Sequence, residues 1–133
     1  MKWIKLLDFE SDNFFPGTVI RVPTMRHSSN WYYDSVMDFL VFDAISYENG
    51  CGLGLIVLSG PKAGKINTIL PGSSAPNGAH AISKDWLINN WNEYFYPDGT
   101  PAQAWVSVIE SINSLPDGTV WEIPDVGDDE VSL

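Results

Sequence analysis

Residues 52–74 read GLGLIVLSGPKAGKINTILPGSS, and after a short polar spacer residues 82–97 read ISKDWLINNWNEYFYP. The apolar runs at 53–58 and 66–70 flank a segment rich in glycine and lysine. Aliphatic runs of this length favour strands, and the glycine and proline between them favour a tight turn. The stretch therefore predicts a β-hairpin followed by an amphipathic helix, and we expect the rest of the chain to pack around this unit.

Three upstream segments predict further strands. The sequence TVIRVP at residues 18–23 is rich in β-branched residues and ends at a proline, and FLVFDAI at residues 39–45 is almost continuously apolar. The pair Asn49-Gly50, which lies between FLVFDAI and the next apolar run, predicts a type I′ hairpin turn. Alternating apolar residues within residues 1–9 predict a short first strand.

Helix signals appear in the C-terminal half. Ser83 is a suitable N-cap for a helix over residues 84–95, and Pro97 ends that helix. The sequence TPAQ at residues 100–103 has the pattern of a capping box with proline at the first helical position. It predicts a second helix, which apolar residues continue at helical spacing through residues 104–115.

The last segments complete the predicted fold. A Pro-Asp-Gly turn at residues 116–118 leads into TVWEIP at residues 119–124, a predicted final strand. Gly52 and Gly54 lie inside a predicted strand and indicate a bulge or sharp coiling. We therefore expect an α+β fold with a small, strongly curled antiparallel sheet of about five to six strands, packed by one or two C-terminal helices. Whether the sheet closes into a barrel stays open.

Length and composition indicate a single soluble domain. The 133 residues suit one core, so residues 1–124 are predicted to form one domain and residues 125–133 an acidic tail. Cys51 is the only cysteine, which excludes an intramolecular disulfide and favours a reducing compartment. Asp8 and Glu10 interrupt the apolar start before a signal peptide could form, and no run approaches the roughly 20 apolar residues of a membrane helix. A cytoplasmic location is therefore expected.

The net charge of −10 is concentrated in the last third of the chain. Residues 85–133 contain ten acids and no lysine or arginine, whereas residues 1–84 contain seven acids and all seven lysines and arginines. This distribution argues against a nucleic-acid partner, because phosphates require a basic surface. A basic protein partner would be attracted to such a region, although an acidic segment can equally serve solubility alone.

The turn GPKAGK at residues 60–65 has a superficial likeness to a phosphate-binding loop but does not meet its requirements. Three residues rather than four separate Gly60 from Gly64, and Ile66 occupies the position of the metal-binding Ser or Thr. A strand is also predicted where a helix N-terminus must begin. We therefore interpret the segment as a turn that presents two lysines.

No arrangement of residues in the sequence points to catalysis. His27 and His80 lie in loop-like segments without another ligand at metal-binding spacing, so neither a metal nor a cofactor is expected. Cys51 could act as a nucleophile with either histidine, but nothing in the sequence supplies an oxyanion hole, and a structural thiol is preferred. A small enzyme that uses Cys51 remains an alternative.

Aromatic residues indicate a recognition surface. Trp31, Tyr32 and Tyr33 lie in a polar segment, where we expect them to be exposed and to supply rigid contact area. Trp86 and Trp91 lie in the predicted helix and are expected mainly to fill the core.

The motifs within residues 17–97 resemble those of a known family. The Gly-Leu strand, the Lys-Ala-Gly turn, the Leu-Pro strand end and the Trp-Leu…Asn-Trp…Tyr-Pro helix are similar to the pattern of the immunity protein 45 family of bacterial polymorphic-toxin systems. The upstream sequences GTVIRV and DFLVFD also fit this pattern. The resemblance implies a small intracellular protein that binds and neutralises a cognate secreted toxin, protecting the producing cell and its kin. It identifies neither the toxin nor the inhibitory residues.

Together these observations predict an inhibitor that acts by surface complementarity, is not an enzyme and is a monomer when free. Its acidic last third would attract a basic toxin, which could be a nuclease, and its aromatic segment would anchor that toxin, with no nucleic-acid or membrane partner. The predicted partner-binding residues are Trp31, Tyr32, Tyr33, Asp98, Glu110, Glu122, Asp125, Asp128, Asp129 and Glu130. A scaffold or protein-binding module of the same fold, with a partner other than a toxin, remains an alternative.

Overall fold

The computed structural model describes six ranges of the chain, in which regular secondary structure begins at Ile4 and ends at Val108. The described residues are 2–23, 36–44, 50–76, 80–95, 99–109 and 117–119. Their strands are β1 (Ile4–Lys5), β2 (Asn13–Phe14), β3 (Thr18–Pro23), β4 (Val36–Asp43), β5 (Gly50–Val57), β6 (Ile66–Pro71), β7 (Ile82–Ser83) and β8 (Trp105–Val108). The helices are α1 (Lys84–Asn89) and α2 (Trp91–Tyr94), and the 3₁₀ turns are Leu6–Asp8, Gly72–Ser74 and Pro101–Gln103.

Six of these strands form one antiparallel sheet in the order β1-β8-β3-β4-β5-β6, and β2 and β7 form a separate two-stranded ladder. The predicted antiparallel sheet is confirmed. Its edge strands β1 and β6 each pair with one neighbour among the described strands, so the sheet is open. The expected strong curl is not found in this part of the chain. The question of barrel closure, left open by the sequence, is answered for the described strands: they do not close, because closure requires the two edges to pair with each other.

Strands β3 and β4 show why the sheet has a buried face. β3 coincides with TVIRVP, as predicted, and its register with β4 sets Ile20 opposite Phe39 and Val22 opposite Met37. Residues paired across antiparallel strands point to the same face, and successive residues of a strand alternate between faces. Because Ile20, Val22 and Phe39 are buried, this face carries the core.

The predicted meander of β4, β5 and β6 is present as two antiparallel pairs. Asn49, which was expected in the first turn, lies outside the described residues. The second turn is closed by the Gly64 amide, which donates to the Val57 carbonyl at 2.7 Å. Gly60 and Gly64 have φ angles of 77° and 88°, which glycine adopts without steric cost. The GPKAGK segment is therefore a hairpin turn, as predicted, and not a phosphate-binding loop.

The glycines of β5 interrupt its pairing, as predicted. The register with β6 shifts between Gly50 and Gly54, so the ladder is irregular at this end of the strand. Gly52 has a φ angle of 81°, a conformation that residues with a β-carbon rarely adopt. The sequence signal for a local irregularity in this strand was therefore correct, although the irregularity does not close the sheet.

The helix predicted over residues 84–95 is interrupted at Asn90. Ser83 caps α1 as predicted, because its side-chain oxygen accepts a hydrogen bond from the Trp86 amide at 3.3 Å. Asn90 has φ and ψ angles of −115° and 19°, and its side-chain amide donates to the Trp86 carbonyl at 2.8 Å. The same carbonyl also accepts a hydrogen bond from the Asn90 backbone amide at 3.0 Å, so backbone and side chain of Asn90 both bond to the last turn of α1, and the helix ends there. No helix within the described ranges is long and apolar enough to cross a membrane.

The predicted second helix is wrong over residues 104–108. The capping-box contacts of Thr100 and Gln103 are present, but they cap only the 3₁₀ turn Pro101–Gln103. The chain then forms β8, which lies between β1 and β3 in the sheet. β8 pairs with β3 along its whole length and with β1 at Trp105 and Val106, and Val106 is buried, so tertiary contacts override the helical spacing.

The strand predicted within residues 1–9 is shorter than expected. Only Ile4–Lys5 forms a strand, and it pairs with β8. A 3₁₀ turn follows, in which Leu6 is fully buried and its amide donates to the Ala104 carbonyl at 2.9 Å. The burial of Leu6 and its bond to the segment before β8 explain why the strand ends there.

The turn predicted before the last strand is supported at Asp117. The Thr119 amide donates to the Asp117 carboxylate at 2.9 Å, and hydrogen bonding with Thr119 lowers the pKa of this carboxyl. The remainder of the strand predicted at residues 119–124 lies outside the described residues, as do residues 110–115 of the predicted second helix.

The helical segment packs on the sheet through aromatic rings. The Phe95 ring centroid lies 4.8 Å from that of Phe39 in β4 and 4.3 Å from that of Trp91 in α2. Leu87 of α1 belongs to the same buried cluster, and Trp86 packs against it while partly exposed. The prediction that the tryptophans of this segment mainly fill the core is confirmed.

Candidate functional site

The predicted partner-binding residues cannot be compared with the structure. They are Trp31, Tyr32, Tyr33, Asp98, Glu110, Glu122, Asp125, Asp128, Asp129 and Glu130, and all of them lie outside the described residues. The structure instead brings together a different set of side chains, on the face of the sheet opposite the helices.

Four cross-strand neighbours form a row on that face. Lys5 of β1 is paired with Trp105 of β8, which is paired on its other side with Arg21 of β3. Arg21 is in turn paired with Asp38 of β4. Paired residues share a face, and these positions alternate with buried ones such as Ile20, so the row points away from the core. We call these four residues the cation–aromatic row.

Arg21 is held in place by two contacts. Its Nε and Nη2 atoms donate to the two carboxylate oxygens of Asp38 at 2.8 and 2.9 Å. Its guanidinium carbon lies 4.2 Å from the centroid of the Trp3 ring, which is a cation–π contact. The hydrogen bonds to Asp38 raise the pKa of Arg21. The guanidinium is therefore fixed and charged, while 36% of the side chain remains exposed.

Lys5 and Trp105 form the more exposed end of the row. The Lys5 Nζ atom lies 5.7 Å from the centroid of the Trp105 ring, and 39% of Trp105 is exposed. In the part of the chain that the structure describes, Lys5 forms no salt bridge. This end of the row therefore presents an aromatic ring and a lysine without a salt bridge to any described residue, beside a fixed arginine.

A groove of about 190 Å³ opens at the same edge of the sheet. The pairing of β1 with β8 ends at Val106, which leaves Ser107 and Val108 without a partner in β1. Ile4 and Val108 line the groove and are exposed. Apolar side chains therefore lie at the sheet edge from which the row begins.

Sequence reasoning did not find this row. Arg21 is the only charged residue of TVIRVP, and Lys5 alternates with Trp3 and Leu7. The sequence therefore shows each of them as one polar residue within an apolar strand, but not that they are neighbours. Trp105, however, was assigned to a helix, and no local pattern shows that β8 lies between β1 and β3. The signal for the row is therefore the strand order itself.

The residues of the catalytic alternative lie partly outside the described ranges. His80 is paired with Asp43, with 3.0 Å between the His80 Nε2 and Asp43 Oδ1 atoms, and both side chains are nearly half exposed. The side chain of Cys51 and the whole of His27 lie outside the described residues. Among the residues that are described, no group of three or more His, Cys, Asp or Glu side chains could hold a metal ion.

The fold and this surface define a small protein whose sheet packs against a helical segment on one face and carries a partly exposed row of cationic and aromatic side chains on the other. A family model described as Immunity protein 45 matches residues 6–106, from the turn after β1 to the middle of β8. The chain therefore belongs to the immunity protein 45 family, as the motifs within residues 17–97 predict. Neither the curated proteins nor the solved structures gave a match.

Proposed function

We propose that this protein binds a cognate toxin domain and neutralises it, which protects the cell that produces both. The observation that supports this function is the family match, which extends over residues 6–106 and so includes β2 to β7 entirely. An immunity protein acts by binding a toxin protein. The partner is therefore a protein domain rather than a small molecule.

The proposed mode of inhibition is surface complementarity. The buried cluster joins β3, β4 and β5 to α1 and α2, so the described faces are supported by a packed core. A preformed surface loses little conformational entropy when it binds, which favours tight association. The toxin would be blocked because its functional surface is covered, without chemical change, and the inhibitor would not be an enzyme.

The acidic last third is proposed to attract the toxin. Residues 85–133 hold ten acids and no lysine or arginine. Such a concentration of charge accelerates association with a basic partner, most strongly at low salt. A nuclease toxin fits this charge, because a nuclease needs a basic surface for phosphates. The acids proposed to attract it are Asp98, Glu110, Glu122, Asp125, Asp128, Asp129 and Glu130.

Trp31, Tyr32 and Tyr33 are proposed to anchor the toxin once it has been attracted. Tryptophan and tyrosine are enriched among the few interface residues that contribute most of the binding energy. The protein would meet its toxin in the cytoplasm as a monomer, with neither nucleic acid nor membrane as a partner.

Co-expression with the toxin domain encoded by the adjacent upstream gene tests this function. Cells that produce the toxin domain alone should stop growing, whereas cells that also produce this protein should grow. The two proteins should also co-purify. An upstream product that neither binds this protein nor harms the cell would contradict the proposal.

The variant Cys51→Ala separates inhibition from the enzyme alternative. An inhibitor that acts by covering the toxin does not need a thiol, so the variant should still protect cells. Circular dichroism of the purified variant confirms that it is folded. Loss of protection by a folded variant that still binds the toxin would support a reaction that requires the Cys51 sulfur.

A further inference from the structure

We propose that the cation–aromatic row, together with the Trp3 ring over Arg21, binds a carboxylate-bearing segment of the cognate toxin domain. The identity of the partner rests on the proposed function. The surface is new, because it lies on the described sheet and has the opposite charge to the acidic last third.

The first support is the chemistry of the row. Tryptophan and arginine are the residues most enriched at the energetic centres of protein interfaces. Here Trp3, which precedes β1, is brought together with Arg21 of β3 and Trp105 of β8, from segments that are far apart in the sequence. All three remain at least partly accessible on the face opposite the helices.

The second support is preorganisation. The guanidinium of Arg21 is fixed by two hydrogen bonds to Asp38 and by the Trp3 ring, so its rotamer freedom is already lost before a partner arrives. Lys5 likewise lies over the Trp105 ring. Binding to side chains that are already ordered costs less conformational entropy than binding to free ones.

The third support is charge, which indicates a carboxylate partner. The row contains two cations, Lys5 and Arg21, and one carboxylate, Asp38. Asp38 is already bonded to Arg21 and only 16% of its side chain is exposed. Lys5 has no salt bridge within the described residues, so a carboxylate of the toxin would supply the missing partner.

Two copies of this chain would not bind each other row to row. The second copy would bring another Lys5 and another Arg21, and its only carboxylate in the row, Asp38, would already be bonded. Like charges facing each other across an interface oppose association. Contact between the two rows is therefore disfavoured. The ten acids in residues 85–133 of a second copy are the competing occupant, and the oligomeric state of wild type and Lys5→Glu distinguishes it from the toxin.

The test measures binding of the toxin domain to the full-length wild-type protein and to three variants. Lys5→Glu reverses the charge at this end of the row, and Trp105→Ala removes the exposed ring. Lys62→Glu is the matched control, because it makes the same charge change at an exposed lysine in the β5–β6 turn, near the other edge of the sheet. Thermal unfolding of each variant shows whether it is folded at the temperature of the binding measurement.

We expect Lys5→Glu and Trp105→Ala each to weaken binding at least about tenfold, and Lys62→Glu to change it less than about twofold. The deficit of Lys5→Glu should shrink as salt is raised, because salt screens the lost attraction. If Trp105→Ala does not fold, Lys5→Glu by itself tests whether the row binds the toxin domain, because it changes only an exposed side chain.

Several results would overturn the inference. If wild type binds the toxin and folded Lys5→Glu binds equally well, the row is not the binding surface, while the proposed function stands. Equal losses in Lys5→Glu and Lys62→Glu would show a non-specific effect of charge. A wild-type dimer that Lys5→Glu separates would assign the row to a second copy. If wild type does not bind the toxin at all, both this inference and the proposed function fail.

Discussion

At the scale of a single residue, Gly54 lies so close to β4 and β6 that there is no room for a side chain. A β-carbon at this position would lie 2.7 Å from the Thr68 carbonyl oxygen and 2.8 Å from a ring carbon of Phe42. Both distances are shorter than van der Waals contact, and the first involves backbone, which cannot move aside cheaply. Gly54 is therefore required by packing, whereas Gly52 is required by its φ angle of 81°.

The variant Gly54→Ala should lower the free energy of unfolding by about 1–3 kcal/mol, the usual cost of forcing extra atoms into a packed site. Gly72→Ala is the control, because no atom lies within 4 Å of the β-carbon it would add. The control should change stability by less than about 1 kcal/mol. Urea denaturation measures both, and equal stability of the two variants would contradict the close approach of β5 and β6.

At the scale of elements, the helical segment depends on the sheet for its stability. α1 has six residues and α2 has four, and helices this short do not form alone in water. Their buried residues, Leu87 and Trp91, belong to the cluster that includes Phe39 of the sheet. The break at Asn90 is tolerated because packing, rather than an uninterrupted helix, holds the segment in place.

Leu87→Ala should therefore destabilise the protein by about 2–5 kcal/mol, the range for removing a buried leucine side chain from a core. Leu58→Ala makes the same chemical change at a leucine that is 42% exposed, and it should cost less than about 1 kcal/mol. Chemical denaturation followed by tryptophan fluorescence compares the two. A small effect at Leu87 would mean that α1 does not pack on the sheet as described.

At the scale of the whole molecule, charge of opposite sign is placed in different parts of the chain. The cation–aromatic row lies in β1, β8, β3 and β4, whereas ten of the acids lie in residues 85–133. A partner can therefore make two kinds of electrostatic contact with this protein, one with the acids and one with the cations of the row. The acids would determine the rate of encounter and the row would contribute to the lifetime of the complex, because exposed charges act mainly on association and ordered contacts mainly on dissociation.

Replacing Asp128, Asp129 and Glu130 by their amides should slow association with a basic toxin up to about tenfold at low salt. The difference should disappear at high salt, and the dissociation rate should change little. The matched control replaces Asp8, Glu10 and Asp12, which are the same residue types and are exposed elsewhere in the chain. Stopped-flow kinetics measures both variants. An equal effect of the two would indicate net charge alone, without a role for the position of the acids.

The elements found from sequence are those whose signal is local. β3 coincides with the β-branched run at residues 18–23, and the β5–β6 turn follows from its glycines. The cap at Ser83 needs only a contact between its side-chain oxygen and the Trp86 amide three residues later. The partner-binding residues derived from composition remain predictions, because composition gives the kind of residue that binds but not its position in space.

The sequence by itself determined the antiparallel strands β3 to β6, their tight turn, the start of α1 and the family. These follow from propensities and contacts within a few residues. Only the tertiary structure decided that the described strands form an open sheet, that the segment at residues 105–108 is a strand between β1 and β3 and that Lys5, Trp105 and Arg21 share a face. The physical reason is that β8 gains backbone partners in β3 along its length and in β1 at Trp105 and Val106, and buries Val106, which helical spacing at the same residues cannot reveal.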